Sequence, residues 1–174
     1  GYVKEEIYPC TDLSIEKQDT SWCRVPFLLQ YNSHGFRGNE FQEQKHDVDF
    51  RIFAVGGSTT YGSGATDDET WPAYLQQIIN EKITDKKIEV INAGIPGADT
   101  NNEYSLIENN VISLDPDLII MYDGWNDFQH SIQIEKTIQN WESVCKLGKN
   151  EGFDTMIIVQ PLSISTGQRV PTEQ

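Results

Sequence analysis

The chain is poor in the groups that most often carry chemistry. Among 174 residues it has three histidines and three cysteines. No His, Cys or carboxylate spacing resembles a metal-ligand set, so no metal is expected. Positive charge is also scarce. Thirteen Lys and Arg stand against 27 Asp and Glu, a formal charge of −14. Such a surface repels phosphate backbones and anionic lipid, which argues against nucleic acid or a membrane surface as partner. Long apolar runs are missing too; none approaches the roughly 20 residues of a membrane span. No basic-then-apolar leader stands at Gly1.

The cysteines constrain little. Cys10 and Cys23 lie close enough in sequence to close a disulfide, which would place the chain in an oxidising compartment, and two free thiols fit equally well. An extracellular or cell-envelope location is therefore only slightly favoured over the cytoplasm. Cys145 falls in a helical apolar pattern with Trp141, Val144 and Leu147 and reads as a small core residue.

Two regions are distinguishable. Residues 1–50 are polar, with little periodicity, and read as an arm or cover. Residues 51–174 are regular. Short apolar runs at Arg51–Val55, Ile88–Asn92, Leu118–Tyr122 and Thr155–Gln160 suit strands covered on both faces of a parallel sheet. Helical stretches separate them. Thr70 precedes Trp71-Pro72 as an N-cap, and Tyr74, Leu75, Ile78 and Ile79 mark an apolar face. A second helix begins near Thr100, carries Tyr104, Ile107 and Val111, and stops at Asp115-Pro116. A third spans about Ile132 to Asn150. The alternation predicts a three-layer α/β/α sandwich with a parallel, flavodoxin-like sheet. Leu162–Gln174 form a polar tail where such a sheet would continue, so the domain is expected to be truncated at its C-terminal side.

Three turns follow successive strands, where open α/β sheets build their sites. Gly56-Gly57-Ser58-Thr59 follows the first, and Ser58 is the candidate nucleophile. Asn92-Ala-Gly-Ile-Pro-Gly97 follows the second; a glycine at position 97 lets a backbone N–H approach a ligand closely. Asp123-Gly-Trp-Asn-Asp127 follows the third, and the Asn126 amide can donate to a developing oxyanion. Each turn alone has a plain structural explanation, as turn geometry or an Asx cap. Their succession carries the inference.

In order and residue type the three segments resemble the serine, glycine and asparagine blocks of the SGNH hydrolases, also called the GDSL esterase/lipase family. The resemblance implies Ser58 as nucleophile. It also implies an oxyanion hole formed by the Ser58 N–H, the Gly97 N–H and the Asn126 amide. Gly57, Thr59, Trp125 and Asp127 are then expected to border the substrate, a small-molecule or glycan ester. Gly57 stands where an aspartate is common, and the late Asp-x-x-His block that carries the base has no counterpart here. Of the histidines, His34 is expected in a structural or pocket-lining role, His46 in solvent, and His130 on a helix surface. The activity the resemblance implies is ester hydrolysis through an acyl-serine, without metal or organic cofactor, with the base on a missing C-terminal part of the same protein. The alternatives are a catalytically silent binding or assembly module and an O-acyltransferase. Trp71 and Trp141 are expected in the core.

Overall fold

The computed structural model describes residues 1–7 and 26–161. Cys10, Cys23 and the segment after Pro161 lie outside these residues. An antiparallel hairpin comes first, β1 (Tyr2–Ile7) against β2 (Pro26–Tyr31), in the region expected to be an arm. Next come β3 (Phe50–Gly56), the single turn α1 (Ser58–Tyr61) and α2 (Trp71–Lys82). They are followed by β4 (Ile88–Gly94), α3 (Thr100–Leu106) and β5 (Leu118–Asp123). The short α4 (Trp125–Gln129), the long α5 (Ile134–Glu151) and β6 (Asp154–Val159) complete the order.

Strands β3 to β6 form one parallel sheet in the order β4-β3-β5-β6. The first connection leaves β3 toward β4 and the next jumps back across β3 to β5. Strand β3 thus ends at the point where the winding reverses, the crevice in which open α/β sheets bind ligands. Ser58 follows that strand by one glycine.

Alternate residues of each strand face opposite layers. Phe53, Val55, Ile91, Ala93, Ile119 and Met121 point to one face and pack under Ile107, Val111, Leu114 and Val144. These come from the helical stretch after β4 and from α5. The stretch continues past α3 as a wide turn (Ile107–Val111) and a tight one (Ile112–Leu114), ended by Asp115 at φ 55° before Pro116. The opposite face is covered over β4 by α2. Over β5 and β6 that face carries no helix among the described residues, and Met156 and Ile158 are exposed.

Two expectations need correction. On α2, Tyr74 and Ile78 are exposed while Leu75 and Ile79 are half-buried, so the inward stripe is narrower than the periodicity indicated. Trp71 is only half-buried and lies at the edge of a cleft, because its ring stands against Thr60 of α1 and Tyr122 of β5 at the sheet's rim. Its indole Nε1 donates to Thr60 Oγ1 at 3.3 Å. Thr70 does cap α2, accepting from the Ala73 N–H at 3.3 Å.

Candidate active site at the sheet reversal

Three short elements build the rim. Ser58 opens α1, a single turn whose Thr60 and Tyr61 N–H groups return to the Gly57 carbonyl at 3.1 and 3.0 Å, while the Ser58 and Thr59 N–H groups meet no backbone acceptor among the described residues. The turn is seated by close packing. A Cβ at Gly94 would fall 2.7 Å from the Thr60 carbonyl carbon, so β4 approaches the α1 backbone at a distance only glycine permits. Asn92 adds polar support: its Nδ2 donates to the Tyr61 carbonyl at 3.3 Å and its Oδ1 accepts from the Gly94 N–H at 3.0 Å.

Arg37 secures the other end of α1. Its buried guanidinium donates to the carbonyls of Tyr61 and Gly62 at 2.8 Å and of Ala65 at 2.6 Å, and its Nε meets Asp67 Oδ1 at 2.7 Å. Sequence reading passed over this residue. Nothing in Phe36-Arg37-Gly38 signals a partner 24 or more positions away.

The second element is the turn after β4. The Ile95 N–H donates to the Gly56 carbonyl at 2.9 Å and the Ala98 N–H to Ile95 at 3.0 Å. This closes a tight loop in which Gly97 adopts φ 80°. Gly97 is exposed, and among the described residues its N–H meets no acceptor. Asp99 ends the loop and caps α3, accepting from the Asn101 N–H at 3.0 Å and the Asn102 N–H at 3.3 Å.

The third element is the turn after β5. Gly124 takes φ 110°, and Asn126 then sends its Nδ2 to the Ala98 carbonyl at 2.6 Å. One amide proton is thereby spent and the second remains. The same nitrogen occupies the space a side chain at position 57 would need. Gly57, Ala98 and Asn126 are therefore in mutual contact, and the three sequence blocks meet at one place.

Beside Ser58 opens a cleft of about 690 Å³, bordered by Thr59, Glu69, Trp71, Tyr122 and Ile158. Trp71 and Tyr122 meet edge to face with centroids 6.4 Å apart. Thr59 is tied to the end of β6, its Oγ1 accepting from Gln160 Nε2 at 2.7 Å. Among the described residues Glu69 is the only charged group on this wall, and hydrogen bonds from Thr66 hold its carboxyl below its usual range. Trp125 stands on the rim at 39 % exposure, tilted against Phe128, but does not border this cleft.

Asp127 departs from the expected role beside the substrate. It is 3 % exposed and turned inward. Its Oδ1 accepts from the hydroxyls of Thr100 at 2.5 Å and Thr137 at 2.8 Å, and its Oδ2 from the Thr100 N–H at 3.1 Å. Trp141, expected in the core, is partly buried there and donates its Nε1 to Asp123 at 3.0 Å.

None of the histidines borders the Ser58 cleft. His34 packs on Phe41 with centroids 4.6 Å apart, and His46 is exposed. His130, 46 % exposed, pairs its Nδ1 with Asp99 Oδ2 at 3.0 Å. Burial works to raise the Asp99 carboxyl, but hydrogen bonds from His130, Asn102 and Asn101 outweigh it and hold it below its ordinary range. No cluster of three His, Cys, Asp or Glu with metal-binding geometry occurs among the described residues.

The family model for GDSL-like lipase/acylhydrolases matches residues 54–173. No curated protein matches the chain. Among solved structures, a putative lipolytic protein of the G-D-S-L family from Desulfitobacterium hafniense DCB-2 superposes with a TM-score of 0.59 at 21% identity, over 68% of this chain and 65% of its own. TesA gives 0.59 at 21% identity, over 64% and 61%. The acetylxylan esterase Axe2 from Geobacillus stearothermophilus gives 0.54 at 18% identity, over 66% and 61%. The chain thus spans less than two thirds of the length of each of these proteins, and at such identities the likeness establishes the fold. With a family match over most of its length and that fold, the chain belongs to the GDSL-like lipase/acylhydrolase family, the SGNH hydrolases.

Proposed function

We propose that this chain carries the nucleophile and oxyanion site of a serine esterase acting on O-acylated carbohydrates or other short-chain esters. In this reading Ser58 Oγ adds to the ester carbonyl carbon while its proton passes to an imidazole. The carbonyl oxygen becomes an oxyanion, bound by the Ser58 N–H, the Gly97 N–H and the free proton of the Asn126 amide. The alkoxide leaves with the proton from the imidazolium, and water then hydrolyses the acyl-serine by the same steps in reverse roles. Thr59 borders the substrate in the cleft, with Gly57 and Trp125 toward its rim.

One observation supports the reading: the Asn126 amide reaches across to Ala98 and against Gly57, which brings the three turns into contact beside Ser58. A hydrogen bond of that kind, aimed at developing charge, is worth about 10²- to 10³-fold in kcat. The open cleft and the ionised Glu69 on its wall favour neutral acyl and alcohol groups over anionic ones.

The imidazole, in this reading, belongs to polypeptide outside these 174 residues. It would enter over the uncovered face of β5 and β6, beside Tyr122 and Ile158 on the cleft wall. The second reading, a silent binding module, is favoured by the distance of His34, His46 and His130 from the cleft wall. Hydrolysis of p-nitrophenyl acetate and acetylated xylo-oligosaccharide by the natural gene product separates the two. The esterase reading expects turnover that Ser58→Ala lowers by several orders of magnitude. Absence of turnover, with glycan binding unchanged in Ser58→Ala, supports the silent module. Acyl transfer to a sugar hydroxyl in excess of hydrolysis identifies a transferase.

A further inference from the structure

Behind the rim lies a group of three buried carboxyls that the proposed chemistry does not use. Glu103 of α3 is 1 % exposed, and Asp123 and Asp127 are each 3 % exposed. No ion pair reaches any of them among the described residues. Their hydrogen bonding is unequal. Asp127 is saturated by Thr100 and Thr137. Asp123 accepts from the Gly124 N–H at 2.7 Å and from Trp141 Nε1 at 3.0 Å. Glu103 has no donor at either oxygen. An ionised carboxylate so placed would bear the full desolvation cost with nothing to offset it. A protonated one becomes a donor itself, and among the carboxyls around it Asp123 acts on it most strongly.

We propose that Glu103, kept as a neutral acid that donates to Asp123, is a positioning residue that sets the Gly97 turn in register with Asn126. The connectivity supports this. Glu103 sits on the helix that begins at Thr100, three residues after Gly97 and just past Asp99. Asp123 holds the N–H of Gly124, the left-handed residue from which the Asn126 turn springs. A Glu103–Asp123 hydrogen bond therefore joins the supports of two oxyanion donors that come from different strands. The proton belongs on Glu103 because two donors already stabilise the Asp123 anion and none stabilises Glu103.

The surroundings agree. Burial, reinforced by Asp123, Asp127 and Asp99, pushes the Glu103 carboxyl well above the ordinary range. Burial likewise raises Asp123, against hydrogen bonds from Glu103, Trp141 and Gly124. From β5 the group is faced by Asp123 and from α4 by Asp127. Asp99, at the head of its own helix, carries His130. Helix α5 contributes the neutral Thr137, Asn140 and Trp141. Loss of the Glu103 proton sets two adjacent anions against each other and pushes the two turns apart.

The inference rests on the reading of Gly97 and Asn126 as oxyanion donors, and its test does not require turnover. In the isotopically labelled chain, the Glu103 side-chain carbonyl, the Gly97 amide and the Asn126 side-chain amide are followed by NMR from mildly acidic to alkaline pH. The His130 ring signals are recorded alongside to separate its own titration. The expected result is a Glu103 midpoint well above the ordinary carboxylate range, with Gly97 and Asn126 signals moving at that midpoint. In Glu103→Gln, which keeps a neutral donor, both signals stay at their low-pH positions throughout. In the natural gene product, where it turns over esters, Glu103→Gln abolishes an alkaline decline in kcat, and Glu103→Ala lowers kcat roughly 10- to 100-fold with KM little changed. An ordinary midpoint for Glu103, or Gly97 and Asn126 signals indifferent to it, overturns the proposal. If the coupling is present but no ester is cleaved, the positioning role stands and the esterase reading falls.

Discussion

At the scale of single residues, Gly57 has a specific job. The space beside it is filled by the Asn126 amide nitrogen, so a side chain at 57 pushes that amide off its place while meeting the Ala98 carbonyl oxygen only at ordinary contact distance, 3.4 Å. Gly57→Ala is therefore expected to cost little stability, under about 1 kcal/mol. It should lower kcat of the active esterase roughly 100-fold, as loss of one oxyanion donor does. Urea denaturation beside steady-state kinetics checks both halves; a stability loss that matches the activity loss would mean that the glycine serves the fold. Arg37 has the opposite character. Its guanidinium satisfies three carbonyls and Asp67 at once, a fork that lysine cannot reproduce. Arg37→Met takes the guanidinium donor from the Gly62 and Ala65 carbonyls, while Tyr61 keeps Asn92 and Asp67 keeps the Gln30 N–H; it is expected to destabilise the chain by about 3 kcal/mol, read as a lower urea midpoint.

At the scale of elements, the decisive contact is between α1 and β4. The turn bearing Ser58 is too short to be stable alone and is held by packing on Gly94, by Asn92 beneath it and by Arg37 at its end. Gly94→Ala drives a methyl into the Thr60–Tyr61 backbone, where no side chain can yield. A loss of about 1–3 kcal/mol in thermal unfolding is expected, together with reduced labelling of Ser58 by a fluorophosphonate in the active protein. Much of this architecture was legible in the sequence. The four parallel strands stand out because burial on both faces makes them continuously apolar. Ser58, Gly97 and Asn126 stand out because each turn ends such a strand. The hairpin β1–β2 did not, since its strands lie in a polar region whose pairing is set by a distant partner. Glu103 was illegible for a related reason. Between Asn102 and Tyr104 it reads as an exposed helical residue, and its burial arises only when β5 and α5 close over it. Asp127 looked like a rim residue because it adjoins Asn126, yet the turn of α4 rotates it inward to Thr100 and Thr137.

At the scale of the whole molecule, the formal charge of −14 makes pH and salt the natural variables. Two sets of carboxyls pull stability in opposite directions. Asp99, held below its ordinary range by His130, Asn102 and Asn101, favours the folded state once ionised, and that contribution is lost as pH falls through its folded value. Glu103 and Asp123 lie above the ordinary range, so the folded chain keeps protons that the unfolded chain has released. Their effect is full below the unfolded values, about 4.3 for a glutamate and about 3.9 for an aspartate, and declines as pH rises toward the folded ones. The slope is about 1.4 kcal/mol per pH unit for each proton retained. Stability is therefore expected to peak in the weakly acidic range and to fall toward neutrality even in enough salt to screen the surface. Glu103→Gln removes one such proton. Its urea midpoint should equal or trail the wild type near pH 5 and overtake it as pH rises, with the gap widening until the wild-type Glu103 ionises. Parallel curves for the two proteins across that range would mean that Glu103 is already an anion in the fold, and that the buried carboxyls are balanced by something other than a shared proton.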